Sequence, residues 1–501
     1  MKTRTLIVIF GVCVALVLTG STLWGAKGGN KPPDPEDPPP TPIDGYYFWR
    51  LGHMDGPHTS SKAFGISRDG KVAVGSTVAV SFDKAWRLDI DWAIATGDGE
   101  APLYNELQVQ EGIGGEAAFA ASDKTVDPCP YDKVDPENPT SVDNFDWCGS
   151  QPVGTLTTGT VSYAAEWLWA YDPEATDPNY VAIPDFGGGI ADMVANDVSA
   201  DGVIFVGTGH TMTGMQAFRA DTTVVDPDTL VPIPVQLTIQ DPVTLQTLHT
   251  SSAQAVSADG FIIAGFGATS TGNKAFVTDT TLTVWTDDEP VFESSILPAI
   301  AGGSWSEAYA LTVTDEGVIY IAGRSDSPKG PQACIWFPGD DPETPEVEAY
   351  LVKGIGGLSK KKYDSVANSI VYRPGSTAGD LMVVGTSKTI LYPAEAFVWT
   401  GNPVLEPDGP YTLPDGTESE YIGYMYDLEK ILIKTGAAEA SAAGSAWVLF
   451  EGAGAALSDV FNAGDNGPSA RIVGSGINPE GGVEAWLVTN YPYDDLEFVK
   501  E

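Results

Sequence analysis

The chain has 501 residues, with 68 aspartates and glutamates against 26 lysines and arginines, a formal charge of −42. That balance excludes the lysine and arginine stripes that nucleic acid and anionic lipid surfaces require. It leaves basic partners, divalent cations or plain solubility as its explanation. With 43% hydrophobic residues, the chain still carries enough apolar material to fold.

Residues 1–26 open with Lys2 and Arg4, continue through an apolar run from Leu6 to Leu18, and end in TGSTLWGA. This is the layout of a signal peptide, and the run is shorter than the roughly 20 apolar residues of a membrane span. An uncleaved anchor is the alternative. Cys13 follows Val12 inside the run, where a lipidation site would call for a small neighbour. Residues 27–45, KGGNKPPDPEDPPPTPIDG, have nothing with which to pack a core and read as an extended polyproline spacer or a disordered tail. YYFWRLG, Tyr46 to Gly52, has the aromatic character of a strand.

From there to the end one phrase recurs. Its clearest copy is AQAVSADGFIIAG, Ala253 to Gly265, followed by Ala275-Phe276. Asp259-Gly260 marks a hairpin, because glycine supplies the positive φ of a tight turn. Phe261 to Ala264 is a buried strand by its continuous apolar run. Strict alternation would place Ala253, Ala255 and Ser257 on one face, and Gln254 and Val256 on the other. Close copies run from Ala63 to Gly75, turning at Asp69-Gly70, and from Ala195 to Gly207, turning at Asp201-Gly202. Longer-turned copies run from Ala308 to Gly323, Ala367 to Gly385 and Leu457 to Gly474. One more opens at Ala118 to Ser122 and resumes at Val153-Gly154. Most are followed by an alanine and an aromatic, as in Ala85-Trp86, Ala217-Phe218 and Ala396-Phe397. Glycine pairs such as Gly302-Gly303 and Gly356-Gly357 are read as crossings between sheets. Met425 to Thr435, MYDLEKILIKT, has helical spacing and is expected to pack on the outside.

The pattern A-x-x-[IV]-S-x-D-G…[VI]-x-G…A-[FW]-x-W resembles the HAF-type bacterial extracellular repeat proteins, over about residues 46 to 490. The segment GSGINPEGGVEAWL is similar to that family's usual ending. Many members continue into a hydrophobic sorting tail with arginines, whereas this chain ends DDLEFVKE. The resemblance implies export and a surface or matrix location, and no particular chemistry. A three-stranded unit cannot bury both faces alone, so such units stack on copies of themselves. The expected fold is all-β: a single β-propeller over 46–501, with seven blades the first expectation and six or eight the alternatives. Tyr46 to Leu51 would close the ring beside Glu484 to Val488, since an open ring leaves bare sheet edges.

No catalytic motif is present. The sequence has no nucleophile elbow, no phosphate loop and no zinc signature. Of four histidines, His53 and His58 in HMDGPH would need a third metal ligand from elsewhere. Asp89, Asp91 and Glu100 fit three positions of a calcium loop, but Ala93 and Ile94 break it. Asp69, Asp201 and Asp259 recur at one position. They read as caps of their own turns, with a ring of calcium ligands as the alternative. Cys129 and Cys148 bracket the insertion at 123–152, and export would join them in a disulfide. Cys334 replaces an aromatic and reads as a small buried hydrophobe. A second insertion covers 400–424, and Trp305 and Tyr421 stand near loops.

The first functional expectation is an exported, non-catalytic binding or scaffold protein. Its partner would be an extracellular protein or polysaccharide, with no nucleic acid, no membrane span after signal cleavage and no cofactor. A carbohydrate-active enzyme built on a carboxylate pair and a calcium-stabilised adhesion module are the alternatives.

Overall fold

In the computed structural model, each copy of the phrase becomes one four-stranded antiparallel sheet, and there are seven such sheets. The structure describes residues 47–52, 58–79, 83–90, 105–106, 116–123, 152–158, 161–167, 180–183, 186, 192–212, 214–227, 231–240, 247–248, 250–286, 289–339, 350–359, 363–372, 381–389, 392–403, 411–412, 418–419, 423–435, 447–458 and 469–492. The expected signal peptide and spacer, Cys129 and Cys148, His53, and Tyr421 lie outside them. So does most of the insertion at 123–152.

The sheets are the blades of a propeller. Their innermost strands are His58–Ile66, Glu116–Ala121, Met193–Val198, Thr250–Val256, Ser306–Val313, Ser365–Tyr372 and Val448–Ser458. These define blades one to seven. Seven apolar clusters hold the ring, one at each junction, and the seam between blades seven and one has its own. The buried aromatics of the third strands, among them Trp86, Phe218, Phe276, Phe397 and Trp486, fill these gaps.

Closure is by the first strand. Tyr47–Gly52 pairs antiparallel with Val483–Pro492, with Phe48 opposite Val488 and Trp49 opposite Leu487. Glu484 is nearly fully buried and gathers the seam. It accepts hydrogen bonds from Arg50 Nε at 3.1 Å and Nη2 at 2.8 Å, from Gly52 N at 3.0 Å and from Asn478 Nδ2 at 2.7 Å. A paired carboxylate–guanidinium fork is among the stronger polar contacts available to a protein. Across the junction, on the inner strand of blade one, Ser61 donates to Gly52 O and accepts from Ala485 N at 2.9 Å. The same serine contact recurs at three junctions, where Ala217 N, Ala275 N and Ala333 N donate to Ser251, Ser306 and Ser365.

Three readings of the sequence need correction. The inner strands do not alternate strictly. Every one carries a β-bulge after the residue that opens its phrase, and a bulge breaks the two-residue period. In blade four the bulge falls between Ala253 and Ala255. Ala253 and Val256 therefore face blade three, and Ala255 faces blade five. In blade seven the opening residue is Gly452, which pairs with Gly474, not Leu457, which pairs with Ala470. The inner strand there, Val448–Ser458, is longer than its sister strands. Finally, the helix begins only at Leu428. Gly423–Asp427 is the outer strand of blade six, and Asp427 caps the helix by accepting Lys430 N at 3.2 Å. Leu428, Ile431 and Leu432 then pack against Met382, Val384, Trp447 and Leu449.

The bulges explain the closing glycines. A Cβ built on Gly75, Gly154, Gly207, Gly265, Gly323, Gly385 or Gly474 would lie 1.9–2.1 Å from a backbone carbonyl oxygen of the inner strand. No side chain larger than hydrogen fits opposite such a bulge.

Candidate ligand site in the axial pocket

The residue displaced by each bulge is Phe64, Phe119, Asn196, Gln254, Tyr309, Asn368 or Ala453, and all seven line one central pocket. Bulges re-aim side chains, which is why they recur beside functional sites. The pocket has a volume of about 640 Å³, within the usual range for small-ligand sites. It runs from the bulge ring toward the S-x-D-G turns.

Its wall is uneven. Blades five to seven contribute Leu311, Val313, Ile370, Val371 and Ala455. On blades one and two, Phe64 and Phe119 have ring centroids 5.3 Å apart. Blades one to four contribute the polar side: Arg68, Asp69, Asp123, Asn196, Asp197 and Gln254.

Arg68 dominates that side. It stands where the other S-x-D-G copies have Ala200 and Ala258. From blade one it reaches blades three and four, donating from Nη1 to Val198 O at 2.6 Å and from Nη2 to Val256 O at 2.5 Å and Asp197 Oδ2 at 3.2 Å. Asp197 also accepts Val198 N and Val256 N, each at 2.8 Å. Burial nevertheless pushes its carboxyl above the ordinary range, against the pull of Arg68 and the two amides. Beside it, Asp123 Oδ1 accepts Asp69 N, Asp123 N donates to Ala200 O, and Ala200 N donates to Ala258 O. These bonds form a belt across blades one to four. Burial also raises Asp123. Burial raises Glu451 too, with Lys62 pulling the other way.

At the opposite end, Glu307 accepts Tyr309 Oη at 2.6 Å, Arg324 Nε at 2.7 Å and Asn273 Nδ2 at 2.5 Å. Burial alone would raise its carboxyl, but Arg324 and these hydrogen bonds hold it below the usual range. The Arg324 guanidinium lies 5.3 Å from the Trp305 ring centroid and 5.9 Å from that of Tyr309. Two bulge asparagines bind the next blade: Asn196 Nδ2 donates to Ala253 O at 2.7 Å, and Asn368 Nδ2 to Gly452 O at 2.9 Å.

The sequence-derived site residues fall as follows. Asp69 Oδ1 accepts Ser67 Oγ at 2.5 Å and Lys71 N at 3.1 Å. Asp201 Oδ1 accepts Ser199 Oγ and Val203 N, and Asp259 Oδ1 accepts Ser257 Oγ and Phe261 N. Gly70, Gly202 and Gly260 have φ of 71°, 76° and 79°. The three aspartates thus serve their own turns, and only Asp69 reaches the pocket wall. Cys334 is buried, carries no disulfide, and has its thiol pKa raised by burial. His210 lies with Nδ1 3.0 Å from Thr211 O, away from the pocket lining. Among the described residues no group of three His, Cys, Asp or Glu is placed to hold a metal ion, and no helix is long and apolar enough to cross a membrane. Sequence reasoning missed the bulge ring and Arg68. The signal was there: the second position of the phrase varies freely in chemistry between small neighbours, and one S-x-D-G copy alone has an arginine.

Fold and site together define a seven-bladed β-propeller with a ligand-sized axial pocket. Among solved structures, the chain is similar to TolB from Acinetobacter baumannii, at 14% identity over 57% of this chain and 52% of that one, with a TM-score of 0.32. It therefore spans about half the length of that protein. It is similar to a putative TolB from Agrobacterium tumefaciens at 13% identity, over 68% and 86% of the two chains, with a TM-score of 0.31. It is also similar to Sqt1 from Chaetomium thermophilum at 13% identity, over 87% and 99%, with a TM-score of 0.37. No family model matches the chain, and no curated protein does.

Proposed function

We propose that this is an exported, HAF-type binding propeller that works at the cell surface or in the extracellular matrix, holding its ligand in the axial pocket without turning it over. The observation that supports this reading is the division of labour along the inner strands. The small residues, serines and aspartates of the phrase serve turns and blade junctions, while the bulge position presents varied side chains to the cavity from all seven blades. Three of the pocket's acids also have structural work: Asp197 holds Arg68, Asp69 caps its turn, and Asp123 binds the neighbouring turn. The partner is an extracellular protein or polysaccharide, and calcium is not required. A melting temperature unchanged by chelator is the expected sign of that.

The test is a glycan and protein array probed with the wild-type protein and with Ala453→Trp, which fills the pocket from a bulge and so leaves the strand ladder intact. Binding to wild type that is lost in the variant supports the reading, and equal binding by both sinks it. A polysaccharide that is shortened as well as bound, with cleavage lost in Glu451→Gln, would make the pocket catalytic.

A further inference from the structure

The pocket's charge and its aromatic pair narrow the ligand. Among the described residues its one lining cation is Arg68, and that guanidinium is held by Asp197 and two carbonyls. Against it stand Asp69, Asp123, Asp197 and Glu451. Glu451 is withdrawn from water with no guanidinium among the groups acting on it, and Lys62 only partly offsets its burial; Asp123 is withdrawn too, with the Asp69 amide and Arg68 only partly offsetting its burial. A buried carboxylate favours an incoming positive charge, because that charge replaces the solvation it has lost. A cation seated over a face of Phe64 or Phe119 would gain from a quadrupole of the same preference. Opposite them, Leu311, Ile370 and Val371 offer an apolar wall. The protein's −42 charge draws cations toward the whole surface and repels anions.

We infer that the axial pocket takes an organic cation: a protonated amine or quaternary ammonium carried on an apolar body, with the charge toward Glu451 and the Phe64–Phe119 pair and the body against blades five and six. This rests on the pocket being the ligand site. Among protein and polysaccharide partners this singles out those that present an amine, since an acidic or neutral sugar offers no positive charge.

Three probes of one shape separate the classes: cyclohexylammonium, cyclohexanol and cyclohexanecarboxylate, titrated calorimetrically into the wild-type protein. The ammonium should bind, and the alcohol and carboxylate should bind more weakly or not at all. Phe119→Leu and Glu451→Gln should each weaken the ammonium by about fivefold or more, in keeping with the strength of a desolvated cation–aromatic contact. Ala453→Trp should abolish it, and melting curves establish that each variant is folded. Should one of the first two fail to fold, the probe series on wild type and Ala453→Trp still decides. Alcohol binding equal to ammonium binding, or ammonium binding that survives Ala453→Trp, overturns the inference. Array binding that Ala453→Trp blocks, with no response to any of the three probes, overturns it while leaving the binding function in place.

Discussion

Replacing Gly265 by alanine tests whether the bulges and the closing glycines are one device. The added Cβ would stand 2.0 Å from Ser252 O, 3.0 Å from Ala253 Cα and 3.0 Å from Phe276 Cζ. The ring can turn aside, but the carbonyl belongs to a bulged backbone held between two blades, and it would have to retreat by more than about 1 Å to reach ordinary contact. Forced overpacking costs about 1–3 kcal/mol, and a backbone obstacle places this site at the upper end. Unfolding entropy of about 2.1 cal/mol/K per residue, over the roughly 290 described residues, turns 3 kcal/mol into a melting shift of roughly 5 °C. Differential scanning calorimetry reads this directly. Gly482→Ala is the control, because its nearest neighbours lie at 3.4–3.8 Å and the change should be neutral or slightly stabilising. Adding Phe276→Leu should not rescue Gly265→Ala, since the nearest atom is the carbonyl. A Gly265→Ala protein that melts with wild type would refute the reasoning, and rescue by Phe276→Leu would move the obstacle to the ring.

Other expectations follow from the same contacts. Ser61→Ala removes the acceptor of Ala485 N at the seam and should cost about 1–3 kcal/mol, the usual cost of an orphaned buried donor; an unchanged melting temperature argues that the strand pairing alone holds the ring. Glu429 has its carboxyl raised to about 7, first by burial and then by Asp427 and Glu395, with the bond from Leu449 N pulling down. A carboxyl raised in the folded state binds its proton more tightly there than in the unfolded chain. Its contribution to stability is therefore complete below the ordinary value of 4.5 and is lost as pH rises toward 7. Glu429→Gln should thus melt above wild type at pH 8, with the gap narrowing toward pH 5, and a gap independent of pH counts against the assignment. Cys129 and Cys148, with eighteen residues between them, should appear as one linked peptide pair in mass spectra of the unreduced protein, a closure worth about 3 kcal/mol to the loop; two alkylatable thiols would refute it.

Much of the scaffold could be read from residues alone, because turns and apolar runs are local. Asp259-Gly260 forces its hairpin whatever surrounds it, and an aromatic after Ala275 must be buried somewhere. Closure by the first strand was legible for a related reason: Phe48 and Trp49 demanded partners that nothing nearby supplied. The pocket was harder. Whether Gln254 faces a neighbour or the axis depends on a bulge, and that bulge is imposed by the approach of a strand eleven residues later at Gly265. Arg68 was passed over for the same reason, since its partners Val198 and Val256 are 130 and 188 positions away. Gly423–Asp427 was absorbed into the helix because five residues of strand before a capped helix give no break in hydrophobicity.

The ring of displaced residues has a consequence for how such a protein can change. Read round the axis, it is a seven-letter word: Phe64, Phe119, Asn196, Gln254, Tyr309, Asn368, Ala453. Asn196 and Asn368 also tie one blade to the next, so two letters are fixed by grammar. The others can be rewritten without editing the frame that displays them. One scaffold could in this way spell many specificities, each a handful of substitutions from the last, and a library varied at those five positions alone would sample them.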